Sequence, residues 1–100
     1  MLVGRVKGNV VSSTKSEHLK GLKMLIVMPL NIETMEEKND PVICLDFVGA
    51  GEGDVVMCVA GSSSRQTPES RPTPSDNAIL AILDTIDIRG ERKYEKFVKE

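Results

Sequence analysis

The sequence predicts a mainly β fold, one small barrel of about five strands, closed or partly open. Three observations predict it. Short apolar runs, some alternating strictly with polar residues, recur at even spacing along the chain. Stretches rich in Gly, Ser and Pro separate them. No strand–helix–strand alternation occurs, which sets aside a parallel sheet sheathed in helices.

Residues 2–11 open the chain as a half-buried strand. Leu2, Gly4, Val6, Gly8 and Val10 fall on one face, Arg5, Lys7 and Asn9 on the other. Gly4 and Gly8 weaken a strand, but on the inner face of a tight barrel they permit bending and close approach. Residues 12–21 are polar and end in Gly21, a loop. Residues 22–30 differ. Leu22, Met24, Ile26, Met28 and Leu30 share one face, and Leu25 and Val27 the other. A strand apolar on both faces is buried on both, whereas the outer wall of a lone small barrel is wet. The segment therefore predicts a partner over that wall.

Residues 31–41 are polar and form an exposed hairpin loop. Residues 42–48 return as a strand, Gly49-Ala50-Gly51-Glu52-Gly53 is a tight turn, and residues 54–60 are again apolar on both faces. Gly61-Ser62-Ser63-Ser64-Arg65-Gln66 suits a short helical turn with a serine as N-cap. Three prolines make residues 67–75 an irregular loop. Ser75 or Asp76 is placed to cap a second short turn through Asn77 and Ala78. Residues 79–88 read as one long last strand. Periodicity over Ile79–Leu83 fits a helix as well, but the alternation Thr85-Ile86-Asp87-Ile88 favours a strand throughout. In residues 90–100, Tyr94, Phe97 and Val98 are spaced i, i+3, i+4 among charges, which predicts a short amphipathic helical tail. The organisation is one barrel domain, residues 1–89, with a C-terminal tail, residues 90–100. The five-stranded OB-like barrel is a common version of this pattern.

One hundred residues bury only about 60–65% of the surface their unfolded chain exposes, so oligomerisation would add margin. Thirteen Lys and Arg against fifteen Asp and Glu leave a net charge of −2. Without a basic excess, nucleic acid is not an expected partner. OB-type barrels that bind single strands use aromatic platforms and a basic groove. Here the aromatics are only Phe47, Tyr94 and Phe97. The longest apolar stretch, Met24 to Leu30, is too short to span a bilayer, so no membrane contact is expected and a cytoplasmic protein is.

Chemistry-bearing residues are sparse. Cys44 and Cys58 each sit in an apolar run and read as buried small hydrophobes. A disulfide between neighbouring strands stays open. The single histidine, His18, lies in a polar loop, and no Cys-x-x-Cys spacing occurs, so neither a metal nor a cofactor is expected. The glycine turn lacks the Gly-Lys-Ser/Thr of a nucleotide loop and opens a strand rather than a helix. Asp46, Asp84 and Asp87 interrupt or end apolar segments. A buried carboxylate must be paired, and Arg65 or the amides of the glycine turn are the expected partners of Asp46. No second group accompanies it for acid–base work, so an enzyme is not expected.

Several segments together resemble the EutN/CcmL family of bacterial microcompartment vertex proteins. Leu19-Lys20-Gly21-Leu22-Lys23-Met24 is similar to the family's second strand. Asp46-Phe47-Val48-Gly49-Ala50-Gly51-Glu52-Gly53-Asp54 resembles its Asp-x-Val-Gly-Ala-Gly-x-Gly-Glu turn, and Gly61-Ser62-Ser63-Ser64-Arg65 its Gly-Ser-Ser-Ala-Arg segment. Asp76 to Ile86 is similar to its final strand. The resemblance implies a barrel assembled as a cyclic homopentamer, a structural shell protein capping the vertices of a polyhedral microcompartment shell tiled by hexameric shell proteins. It implies an axial opening near Gly49, Ala50 and Gly51. It also implies a subunit contact through Ser62, Ser63, Ser64 and Arg65, with Asp46 beside it. The reading from a different class is an OB-type module for single-stranded nucleic acid or a small ligand.

Overall fold

A computed structural model of the chain describes residues 1–11, 22–60 and 77–96. Its strands are β1 (Leu2–Val10), β2 (Lys23–Pro29), β3 (Val42–Asp46), β4 (Val55–Ala60), β5 (Asn77–Ile82), β6 (Thr85–Ile88) and β7 (Glu91–Glu95). The first five close a barrel in the order β1-β2-β3-β5-β4, with β4 returning to β1. All neighbours are antiparallel except β3 and β5.

Gly4 shows why β1 needs a glycine. A Cβ there would run into Val27 Cγ1 and sit 2.9 Å from the Met28 carbonyl oxygen. Gly8 serves a different end. The β1–β2 register shifts between Val6 and Gly8, so the strand bulges and bends there.

Inside the barrel Val6, Leu25, Val27, Cys44, Ala50, Val56, Cys58 and Ile79 form the buried core, with Leu2, Val42 and Ile82 packed against it. The core is aliphatic, as the scarcity of aromatics requires. Leu45, Val59 and Ala78 alternate with these residues and lie on neighbouring strands, yet they too are buried. So part of the outer wall is covered within the chain itself. Elsewhere the wall is open: Ile43 is 51% exposed and Leu80 48%.

Three expectations are corrected. The long last strand is two, because the chain makes its last backbone bond to β4 from the Leu83 N–H to the Val55 carbonyl and bends at Asp84 before β6. Asn77 and Ala78 begin β5 rather than a helical turn, held by Ala60 and Val59 of β4. The tail is not helical over Glu91–Glu95. It pairs with β6 as an antiparallel hairpin. Its turn has positive φ at both Arg89 (52°) and Gly90 (78°), the two-residue geometry that matches strand twist. A helix over so few residues carries an unfavourable nucleus, whereas the hairpin pairs Ile86 directly with Tyr94. The turn falls across the 89/90 boundary drawn between barrel and tail. The segment expected as the first helical turn, residues 61–66, and the proline-rich loop lie outside the described residues.

Candidate functional site

Among the described residues, the glycine turn between β3 and β4 is densely hydrogen-bonded. Asp46 ends β3 pointing inward, 8% exposed. Its Oδ1 accepts three backbone N–H groups, from Val48 (3.0 Å), Gly49 (3.0 Å) and Ala50 (3.2 Å). Lys23 Nζ lies 3.9 Å from Oδ2 and donates to the Ala50 carbonyl at 3.4 Å. The sequence left two pairings open for this carboxylate; the one with the glycine turn is formed, and Arg65 lies outside the described residues.

A second carboxylate holds the far half. Asp54 Oδ2 accepts from the Gly51 N–H at 2.9 Å, and the Asp54 N–H donates to the Gly51 carbonyl. Gly53 donates to the Val6 carbonyl and accepts from Arg5 Nη1. Positive φ at Gly49 (80°) and Gly53 (92°) explains why those two positions must be glycine. The turn is thus fixed by its own chain at both ends before any neighbour arrives.

Of the three residues expected near an opening, Gly49 and Gly51 are exposed, while the Ala50 methyl is buried in the core. Asp46 joins them in the same turn, its carboxylate satisfied within the chain. Ser62, Ser63, Ser64, Arg65 and His18 lie outside the described residues. Sequence reasoning missed the roles of Lys23 and Asp54. The signal for both was present, since each flanks a stretch already singled out.

Cys44 and Cys58 are both buried, and their Sγ atoms lie 3.7 Å apart with β5 between their strands. They are free thiols. The hydrogen bond to Cys58 and burial push the Cys44 thiol up, away from the thiolate that redox or nucleophilic chemistry would need.

A cleft of about 650 Å³ opens between the barrel and the hairpin, lined in part by Arg5, Asp54, Arg92, Tyr94 and Lys96. Several of its charges are already engaged. Arg92 binds Asp87 (2.6 Å) and Glu95 (2.8 Å), Lys96 lies 3.6 Å from Asp54, and Arg5 covers the Tyr94 ring. Tyr94 is therefore no open stacking platform for a base. Among the described residues lining the cleft, none pairs a nucleophile with a base.

The fold and the turn define a class: a small closed barrel whose distinctive feature is a rigid, solvent-facing glycine turn. The family described as "Ethanolamine utilisation protein EutN/carboxysome" matches residues 1–84. The bacterial microcompartment shell vertex protein GrpN of Rhodospirillum rubrum is 38% identical over 87 residues, spanning 87% of this chain and 97% of that one. Its solved structure, described as a pentameric microcompartment shell protein, superposes with a TM-score of 0.77 over 88% of this chain and 99% of GrpN. The carboxysome protein CcmL of Gloeobacter violaceus superposes with a TM-score of 0.87 at 33% identity, covering 96% of this chain and 98% of that one. The chain belongs to the EutN/CcmL family.

Proposed function

We propose that this chain is a structural shell subunit that assembles as a pentamer and caps the vertices of a bacterial microcompartment, with hexameric shell proteins around it and no catalytic role. A sheet of six-fold tiles stays flat, and a closed shell needs five-fold points. Its place of action is the shell, inside the cytoplasm.

The carrying observation is the turn at Asp46–Asp54, held by two carboxylates of its own chain. Backbones converging at a symmetry axis need small residues and one fixed conformation. Exposed Gly49 and Gly51 supply the first, and the hydrogen bonds of Asp46 and Asp54 the second. On this reading Gly49 and Gly51 border the opening, with Ala50 anchoring them from the core, and Ser62, Ser63, Ser64 and Arg65 join one subunit to the next. Uncovered apolar positions such as Ile43 and Leu80 support a neighbour on the outer wall.

Native mass spectrometry tests the ring. Five copies of 10.9 kDa give about 54.5 kDa. A strictly monomeric chain at high concentration would sink the proposal. Co-expression with hexameric microcompartment shell proteins should give closed particles, and omission of this chain should leave them open.

A further inference from the structure

The β6–β7 hairpin has no assigned role. The family match ends at residue 84, and the hairpin starts at Thr85. A relative described as pentameric is covered almost completely by 88% of this chain. That relative is thus shorter than this chain, while the CcmL of Gloeobacter violaceus is matched over 96% of it and so reaches into the hairpin as well.

The hairpin forms its own two-stranded sheet, apart from the barrel. Such a ribbon is marginal in water unless a further layer covers its apolar face. Ile86 stands opposite Tyr94, with Ile88 two residues along, and all three are only half-buried. The other face is ion-paired through Asp87, Arg92 and Glu95. Among the described residues its polar ties to the rest of the chain include Arg5 over Tyr94, Lys96 to Asp54, and Arg89 to Glu33. Arg5 and Asp54 root the hairpin at the β1–β4 seam.

Strand order places β3 across the barrel from that seam. There Ile43 of β3 pairs with Ile26 of β2, and Ile43 is half open to solvent. A closed ring is heterologous: each subunit joins its neighbours through two unlike patches on different sides. The hairpin, with Ile86 and Ile88 half open to solvent, and the β2–β3 wall, with Ile43 half open, are two such patches.

We propose that the hairpin of each copy lays Ile86 and Ile88 against the Ile26–Ile43 wall of the next copy and clamps the ring, while Tyr94 stays under Arg5 of its own chain. The occupant of the hairpin's open face is a second copy of this chain. The inference rests on the pentamer reading above.

The test uses full-length Ile86→Ser/Ile88→Ser and, separately, Ile43→Ser. Circular dichroism checks that the barrel is intact, and native mass spectrometry follows the ring on dilution. Each variant should lose its ring at a protein concentration roughly tenfold or more above that of the wild type. Combining them should add little to the larger single effect, because both remove one contact. Intact variants that hold the ring down to the wild-type concentration overturn the clamp and leave the pentamer standing. So does full additivity of the two. A wild-type chain that never forms rings overturns the pentamer reading instead. As a second measurement, Ile43→Cys/Ile88→Cys should give a reducible ladder of linked subunits up to five.

Discussion

Replacing Asp46 probes the turn most directly. Asp46→Ala removes the acceptor of three N–H groups at 3.0–3.2 Å. Val48 and Gly49 are exposed, so water takes over much of their loss. The Ala50 amide is buried and gains no such replacement. A hydrogen bond to a charged group contributes about 1.5–3 kcal/mol. The full term at Ala50 with partial terms at the other two gives about 3–4 kcal/mol of lost stability. Asp46→Asn keeps an acceptor oxygen but loses the charge. The Lys23 attraction adds little, since that side chain is 63% exposed and screened. The isosteric change should therefore cost about 1–2 kcal/mol. Guanidinium unfolding at matched protein concentration reads both values, and amide exchange should quicken at Val48, Gly49 and Ala50. A loss below about 1 kcal/mol for Asp46→Ala, or equal losses for the two variants, would refute the claim that this carboxylate holds the turn.

Two further outcomes follow from the same coordinates. Gly4→Ala should destabilise by about 1–3 kcal/mol, because its Cβ meets Val27 and the Met28 backbone, while Gly8→Ala, with nothing within 4 Å, should change stability by less than about 0.5 kcal/mol. Equal effects at the two positions in thermal unfolding would contradict the packing account of β1. Glu91 is held below its ordinary value of 4.5 by the hydrogen bond and then the charge of Lys93. A depressed carboxylate pKa contributes stability above the unfolded value that is lost as pH falls through the folded one. The Glu91–Lys93 contact should thus persist through neutral pH and part only below 4.5, and an NMR midpoint at or above 4.5 would show that the contact is absent in solution.

The barrel was legible because its signals are local and redundant. Alternation in β1, the doubly apolar run of β2 and the glycine turn each name a strand or its end without knowledge of the partner. Asp46 was legible for a similar reason: a carboxylate at the end of an apolar run beside successive glycines has few ways to be satisfied. The hairpin was not. Tyr94, Phe97 and Val98 carry a helical spacing, and the two-residue turn uses Arg89 where an asparagine would have announced it. Nor could periodicity show that the chain leaves the barrel after Leu83. That break is set by where β4 stops offering a partner, a tertiary fact. The burial of Leu45, Val59 and Ala78 is of the same kind. An apolar outer position predicts cover but does not say whose.

That last point bears on how a ring and a barrel share one sequence. The outer wall divides into positions the chain covers itself, such as Leu45 and Ala78, and positions it leaves open, such as Ile43 and Leu80. Had every outer apolar residue needed a neighbour, the lone subunit would expose a continuous sticky wall and aggregate before finding its ring. Had none, nothing would draw subunits together. The turn follows the same division. Asp46 and Asp54 fix its shape inside one chain, so each copy brings an already ordered loop. Ordering five loops during assembly would oppose association at every interface, and a preformed turn leaves the exposed apolar wall to drive it.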